Sequence, residues 1–291
     1  MTMPPEDFAA LAAALAPVQP ADAPGPAHVQ VRVLDAYDVA VTAPAEDQRR
    51  WFAARGGWSK VRLVGHSAGG AAALEWLLTR PDEVECVVLL EPVDLDEKPS
   101  RLRAGSLAHR AVGGVLAAAG SWPPLARLIG RAGRRAFWRL FTDQPDHLSR
   151  RSVDRIWGNR RALVAVWRQV FERFDQEARV RDRLAALERR AGGAASPAGA
   201  ERQAGAERQA DTERQAGTVA TASDLAAILV VAGDQAEPYL PALARRLGAD
   251  LARIGGDHLF PTRRPRATAA LIAAWHASLG SDPRPAPRPK D

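Results

Sequence analysis

The segment Val61 to Gly70, VRLVGHSAGG, constrains this chain more than any other, because an apolar run meets Gly65-His66-Ser67-Ala68-Gly69, the pattern G-x-S-x-G. Such a run ends a buried strand in a turn so tight that its central residue takes a strained backbone conformation, with flanking glycines that let neighbouring chain pass close. The serine is thereby held out at the tip. Ala71 to Thr79 (AAALEWLLT) is made of helix formers, so first-turn amides would point at whatever reacts with Ser67. After Arg80-Pro81 the run Cys86 to Leu90, CVVLL, reads as a second buried strand. Strand, tight turn, helix, break and strand make a parallel βαβ unit, the context the motif requires.

On these residues, from Ala45 to Asp94 and again from Leu225 to about Leu279, the chain resembles the α/β-hydrolase superfamily, in which LVGHSAGG is the nucleophile elbow. The resemblance implies an α/β fold with a mostly parallel sheet, helices on both faces, and a helical cap inserted after the strand that follows the elbow helix. It implies a serine hydrolase that cleaves an ester or thioester of a small molecule through an acyl-enzyme on Ser67. Ala68 N–H would supply one oxyanion donor, and no metal or organic cofactor is implied. A serine at this place argues against dehalogenase or epoxide-hydrolase chemistry, which needs a carboxylate nucleophile. Transfer of the acyl group to an acceptor other than water would use the same site.

The histidine follows from Gly255-Gly256-Asp257-His258-Leu259-Phe260, which resembles the family's G-G-x-H-F loop before a final helix, Arg266 to Leu279. His258 would act as general base, then return the proton to the leaving group. The carboxylate that orients it stays open between strand ends. After the run Leu225 to Ala232 the family places an acid three residues beyond the glycine, but that position is Ala236. Glu237 fits if the loop is one residue longer, and Asp234 if it curls differently. Glu91, with Asp94 close behind, ends the strand after the elbow helix, where the thioesterase branch of the family carries its acid. Asp257 adjoins His258, and neighbouring side chains diverge. His66 is held within the elbow, while His28, His109, His147 and His276 have no motif around them.

Upstream of the elbow, Asp7 is the expected N-cap of a helix FAALAAALA with Phe8, Leu11 and Leu15 on one face. A Pro/Gly-rich linker leads to Val29–Asp35, whose alternation predicts a half-buried strand, and Glu46 to Arg55 predicts a helix stopped by Gly56-Gly57. Hydrolases of this kind carry about three further strands and an HG-type loop before this point; the loop provides the second oxyanion amide, and losing one such donor costs on the order of 100-fold in rate. The first strands have no match here. Either the chain starts internally or it is a shortened variant, weak or inactive, with a binding or assembly role and an open sheet edge.

The predicted organisation is therefore hydrolase core over residues 1–95, helical cap over 96–190, a low-complexity insertion over 191–222, the rest of the core over 223–280 and a Pro-rich tail over 281–291. In the cap, Trp122, Phe137, Trp138, Phe141, Trp157, Trp167, Phe171 and Phe174 are expected mostly to pack helices, with Trp167, Phe171 and Phe174 as a stripe. The insertion carries three tandem ERQA copies starting at Glu201, Glu207 and Glu213, almost without large apolar residues, and is expected as a disordered surface loop.

Charge excludes little by itself. The net charge is +6, but Lys60, Lys98 and Lys290 are the only lysines, and arginine in an alanine-rich chain reads as coding bias. No aromatic-basic motif for nucleic acid and no zinc spacing occurs. A G-x-G-x-x-G dinucleotide spacing is also lacking. The longest apolar runs fall short of the roughly 18 residues that span a bilayer. Glu6 and Asp7 stand where an export signal is positive, and the single cysteine, Cys86, suits a reducing cytoplasm.

Overall fold

Short runs of Val, Ile and Leu without polar alternation belong in a sheet covered on both faces. The computed structural model of the protein describes residues 5–16, 30–35, 38–56, 58, 60–96, 160–194, 226–234 and 238–281, with a few isolated positions between 115 and 131. In it, β1 (Val61–His66), β2 (Val84–Leu90), β3 (Ala227–Ala232) and β4 (Asp250–Arg253) form one parallel sheet in the order β1-β2-β3-β4. Its helices are α1 (Ala9–Leu15), α2 (Ala45–Ala53), α3 (Ala68–Thr79), α4 (Arg160–Ala194), α5 (Leu240–Leu247), α6 (Phe260–Arg263) and α7 (Pro265–Ser281).

The two-residue period of the strands divides the core. Val87, Leu89, Ile228 and Val230 pack on Leu74 and Leu77 of α3, Val180 and Leu184 of α4, and Leu243 and Leu247 of α5. Val88, Leu90, Leu229 and Val231 pack on Leu11 of α1, Phe260 of α6, and Ala269 and Ile272 of α7. Each such buried side chain stabilises the fold by about 1.5–3 kcal/mol. Because all four strands run the same way, their carboxyl ends share one edge of the sheet, the edge where open α/β sheets build sites.

The long helix α4 is clamped to the core by charge as well as by apolar contact. Glu75, fully enclosed on the otherwise apolar α3, accepts from Arg179 Nε at 2.6 Å and from Gln176 Nε2 at 3.2 Å. Gln176 Nε2 also donates to the Val41 carbonyl at 3.0 Å, and Arg179 Nη2 to that of Thr42 at 3.3 Å. Removing Arg179 would leave the enclosed Glu75 carboxylate without its cation, whereas the guanidinium itself stays partly in solvent.

Several boundaries differ from the sequence reading. The elbow helix begins at Ala68 and the second strand at Val84, both earlier than their apolar runs, because strand pairing and the turn extend them. Residues 30–35 form no ladder. Alternation is a local signal, whereas a strand needs a neighbour, and among the described residues none pairs with the outer edge of β1. The boundary at residue 190 falls inside α4, whose second half belongs to the main core. The buried positions of α4 are Gln169, Gln176, Glu177, Val180, Leu184 and Leu187, while Phe174 is half-buried with Arg173 stacked 4.6 Å over its ring. Trp122 is exposed; Phe137, Trp138, Phe141, Trp157, the tandem repeat and the tail after Ser281 lie outside the described residues, as do the side chains of Trp167 and Phe171.

Candidate functional site

Ser67 follows β1 directly and adopts φ 54° and ψ −122°. A non-glycine residue in this region costs on the order of 1–3 kcal/mol and persists only where its surroundings dictate it. Here they do: Ser67 N–H donates to Leu90 O at 3.0 Å, and Ser67 O accepts from Gly70 N–H at 2.9 Å. The tight approaches are at Gly65, where a Cβ would collide with the Gly69 carbonyl, and at Gly70, where it would meet Pro92 Cβ at 2.6 Å. Gly69, expected to be the second flanking glycine that permits the turn, has room for a Cβ, with Val41 Cγ2 at 3.9 Å. The Ala68 amide opens α3 and so has no acceptor within the helix.

Glu91 ends β2 and is the other non-glycine residue with positive φ among the described residues, at 40°. Its backbone N–H donates to Val231 O at 2.9 Å, and its side chain is 9% exposed. Both carboxylate oxygens have partners. Oε1 accepts from Gly233 N–H at 2.7 Å, and Oε2 lies 2.7 Å from His258 Nδ1. A carboxylate only accepts, so the proton between them sits on Nδ1 and the His258 Nε2 carries a lone pair in the neutral ring. Gly233 must be glycine, because a Cβ there would lie 2.5 Å from Glu91 Oε1 and 2.7 Å from Gly256 O.

The loop that carries His258 leaves β4 and is braced by two more carboxylates. Asp234 Oδ2 accepts from Gly256 N–H at 2.7 Å. Asp257 Oδ1 accepts from Leu259 N–H at 3.1 Å, and its Oδ2 pairs with Arg263 Nη1 at 2.6 Å. Thus of the acids left open by the sequence, Glu91 meets the histidine. Asp234 holds the loop's backbone instead, Asp94 Oδ1 accepts from Asp96 N–H at 2.9 Å, and Glu237 with Ala236 lies outside the described residues. His276 sits 3.4 Å from Glu85, away from this loop.

Sequence reasoning passed over His66. Its Nε2 lies 2.8 Å from the carbonyl oxygen of His258, and the two rings are 4.8 Å apart, tilted by 38°. Phe8 packs on His66 at 5.8 Å. Burial, together with the neighbouring His258, holds the His66 pKa down to about 3, so at neutral pH the ring is uncharged and donates through Nε2–H. The signal for it was its place beside Ser67, which alone does not reveal a partner 192 residues away.

The family described as alpha/beta hydrolase fold matches residues 22–108, which include the elbow and Glu91. Among solved structures, a putative ancestral haloalkane dehalogenase aligns at 14% identity over 96% of this chain and 89% of its own, with a TM-score of 0.56. A loop variant of the haloalkane dehalogenase of Bradyrhizobium elkanii aligns at 14% identity over 96% and 87%, with a TM-score of 0.54. At that identity the likeness is one of fold. No curated protein matches the sequence.

Proposed function

We propose that this chain, which has the α/β-hydrolase fold, is a serine hydrolase that cleaves an ester or thioester through an acyl-enzyme on Ser67. The observation that carries this reading is the 2.7 Å contact of His258 Nδ1 with Glu91 Oε2 at the sheet edge that also presents Ser67. In this scheme Glu91 fixes the tautomer in which Nε2 of His258 is the acceptor for the Ser67 proton. Ser67 Oγ attacks the acyl carbon, the oxyanion forms against Ala68 N–H, and His258 Nε2–H protonates the departing alcohol or thiol. Water then attacks the acyl carbon as it loses its proton to His258, the bond to Ser67 Oγ breaks with return of that proton to the serine, and the acid leaves. Glu91 offsets the charge of the imidazolium in both halves of the reaction.

The dehalogenases of similar fold do not carry over their chemistry, since a serine cannot replace the carboxylate that such a displacement needs. A cytoplasmic setting is part of the proposal, supported by Cys86, a buried free thiol whose pKa burial pushes up to about 11. Among the described residues no helix is long and apolar enough to cross a membrane.

The test is hydrolysis of short and medium p-nitrophenyl esters, with labelling by a fluorophosphonate probe, for the full chain and its Ser67→Ala variant. Activity and labelling that both vanish in the variant support the proposal, with an expected loss of about 10⁴-fold or more. A chain that neither labels nor turns over any ester overturns it in favour of a binding role for the fold.

A further inference from the structure

The general base proposed above is gripped at two places. Glu91 holds the ring of His258 at Nδ1, and His66 holds its main chain, by an Nε2–H to carbonyl bond of 2.8 Å. Other anchors of this loop lie on its neighbours: Ile254 N–H on Ala232 O at 2.9 Å, Gly256 N–H on Asp234 Oδ2 at 2.7 Å, Asp234 N–H on Gly256 O at 2.8 Å, Leu259 N–H on Asp257 Oδ1 at 3.1 Å, and Phe260 N–H on Asp257 O at 2.8 Å. The bond from His66 therefore lands on the residue that does the proton transfer. It also comes from the residue next to Ser67, so it ties the nucleophile's turn directly to the base across the sheet edge.

The chemistry of the side chain suits that task. The anchor must donate to a carbonyl, present a ring to both Phe8 and His258, and bring no positive charge beside an imidazole that itself becomes cationic. The two ring contacts are 5.8 Å to Phe8 and 4.8 Å to His258. A neutral imidazole meets all three demands, whereas lysine or arginine meets only the first.

We propose that His66 is a positioning residue of the hydrolase: its bond to the His258 carbonyl and its ring contact hold the His258 Nε2 in line with Ser67. The inference rests on the serine-hydrolase reading, and it concerns a residue that touches neither substrate nor the transferred proton. A displacement of about 1 Å in such a base costs on the order of 100-fold in rate.

The experiment compares His66→Leu, which loses the donor, with His66→Gln, whose amide places an N–H near the position of Nε2. Folding is checked by thermal melting, and if the leucine variant fails to fold, His66→Phe, which keeps a flat ring without the donor, takes its place. On a p-nitrophenyl ester cleaved by the wild type, the variant without the donor is expected to lose about 10–100-fold in kcat with KM within about threefold, and His66→Gln to regain all but about threefold. Wild-type kcat in the donor-free variant, or equal losses in both, overturns the proposal. A second readout does not depend on turnover. In ¹⁵N-histidine spectra the His258 Nδ1 proton, held by Glu91, is expected at low field in the wild type and His66→Gln, and lost to exchange in His66→Leu. If the wild type cleaves no ester yet this pattern appears, the hydrolase reading fails while the positioning geometry stands; a low-field proton kept in His66→Leu overturns the positioning role itself.

Discussion

Two neighbouring strands of this sheet end in a carboxylate, and both carboxylates reach the same loop, yet they do different work. Glu91 after β2 is almost enclosed, and its oxygens meet the Gly233 amide and the His258 ring. Asp234, two residues beyond β3, is exposed and takes the Gly256 amide. The difference lies in depth and direction. Glu91, at a positive φ, is buried with both oxygens partnered, whereas Asp234 is exposed. Proximity to a strand end therefore does not assign the acid; the side chain must arrive beneath the imidazole with its second oxygen already satisfied.

The sharpest way to break this contrast is Glu91→Gln. The amide cannot accept from both Gly233 N–H and His258 Nδ1–H, so one contact is lost or the histidine takes the wrong tautomer. We expect kcat on the ester substrate to fall by about 10³–10⁴-fold, and an unchanged rate would remove Glu91 from the mechanism. Gly233→Ala probes the same acid through its support. A methyl group 2.5 Å from Glu91 Oε1 must displace it, and a kcat loss of about 10²-fold together with a lower melting temperature is expected.

Asp234→Asn supplies the other side of the comparison. Its side-chain oxygen still accepts from Gly256, so steady-state kinetics should give a kcat within about fivefold of wild type and a stability change below about 1 kcal/mol. A loss as large as that of Glu91→Gln would mean that the exposed carboxylate serves the base as much as the buried one does.

The smallest effect asks whether burial, which separates the two carboxylates, also governs the imidazole on the other side of His258. The folded His66 pKa lies near 3, below its ordinary value of 6.5. Between those values the unfolded chain binds the proton and the folded chain does not, so the contribution of His66 to stability is complete above pH 6.5 and is lost as pH falls toward 3. The ring keeps a minor part of its surface in solvent, which moderates the size. Denaturant titrations are expected to show wild type losing on the order of 1–2 kcal/mol more than His66→Gln between pH 6.5 and pH 4, and parallel curves would show that His66 charges freely in the folded state.

The elbow, its helix and the strands around it were legible because their signals are local. Glycine spacing, an apolar run and a helix former each act within a few residues, and β1, α3 and β2 form where those signals stand. The same locality misled at residues 30–35, where alternation without a neighbouring strand yields no ladder. It also left Glu75 unnoticed, since an acid inside an apolar helix gives no hint of Arg179 and Gln176 arriving from α4.

For the proposed site, residue types in order along the chain put Ser67 and His258 forward, because a tight turn and a glycine-rich loop are written in consecutive residues. The choice among Glu91, Asp234 and Glu237 was not written there. It depends on which strand ends lie side by side, on a positive φ at Glu91, and on a glycine at 233 that leaves space for the carboxylate. The tie from His66 to His258 is of the same kind. Backbone conformation is set by near neighbours and can be read in sequence, whereas the partner of a buried polar group is set by packing and is decided only when the sheet is assembled.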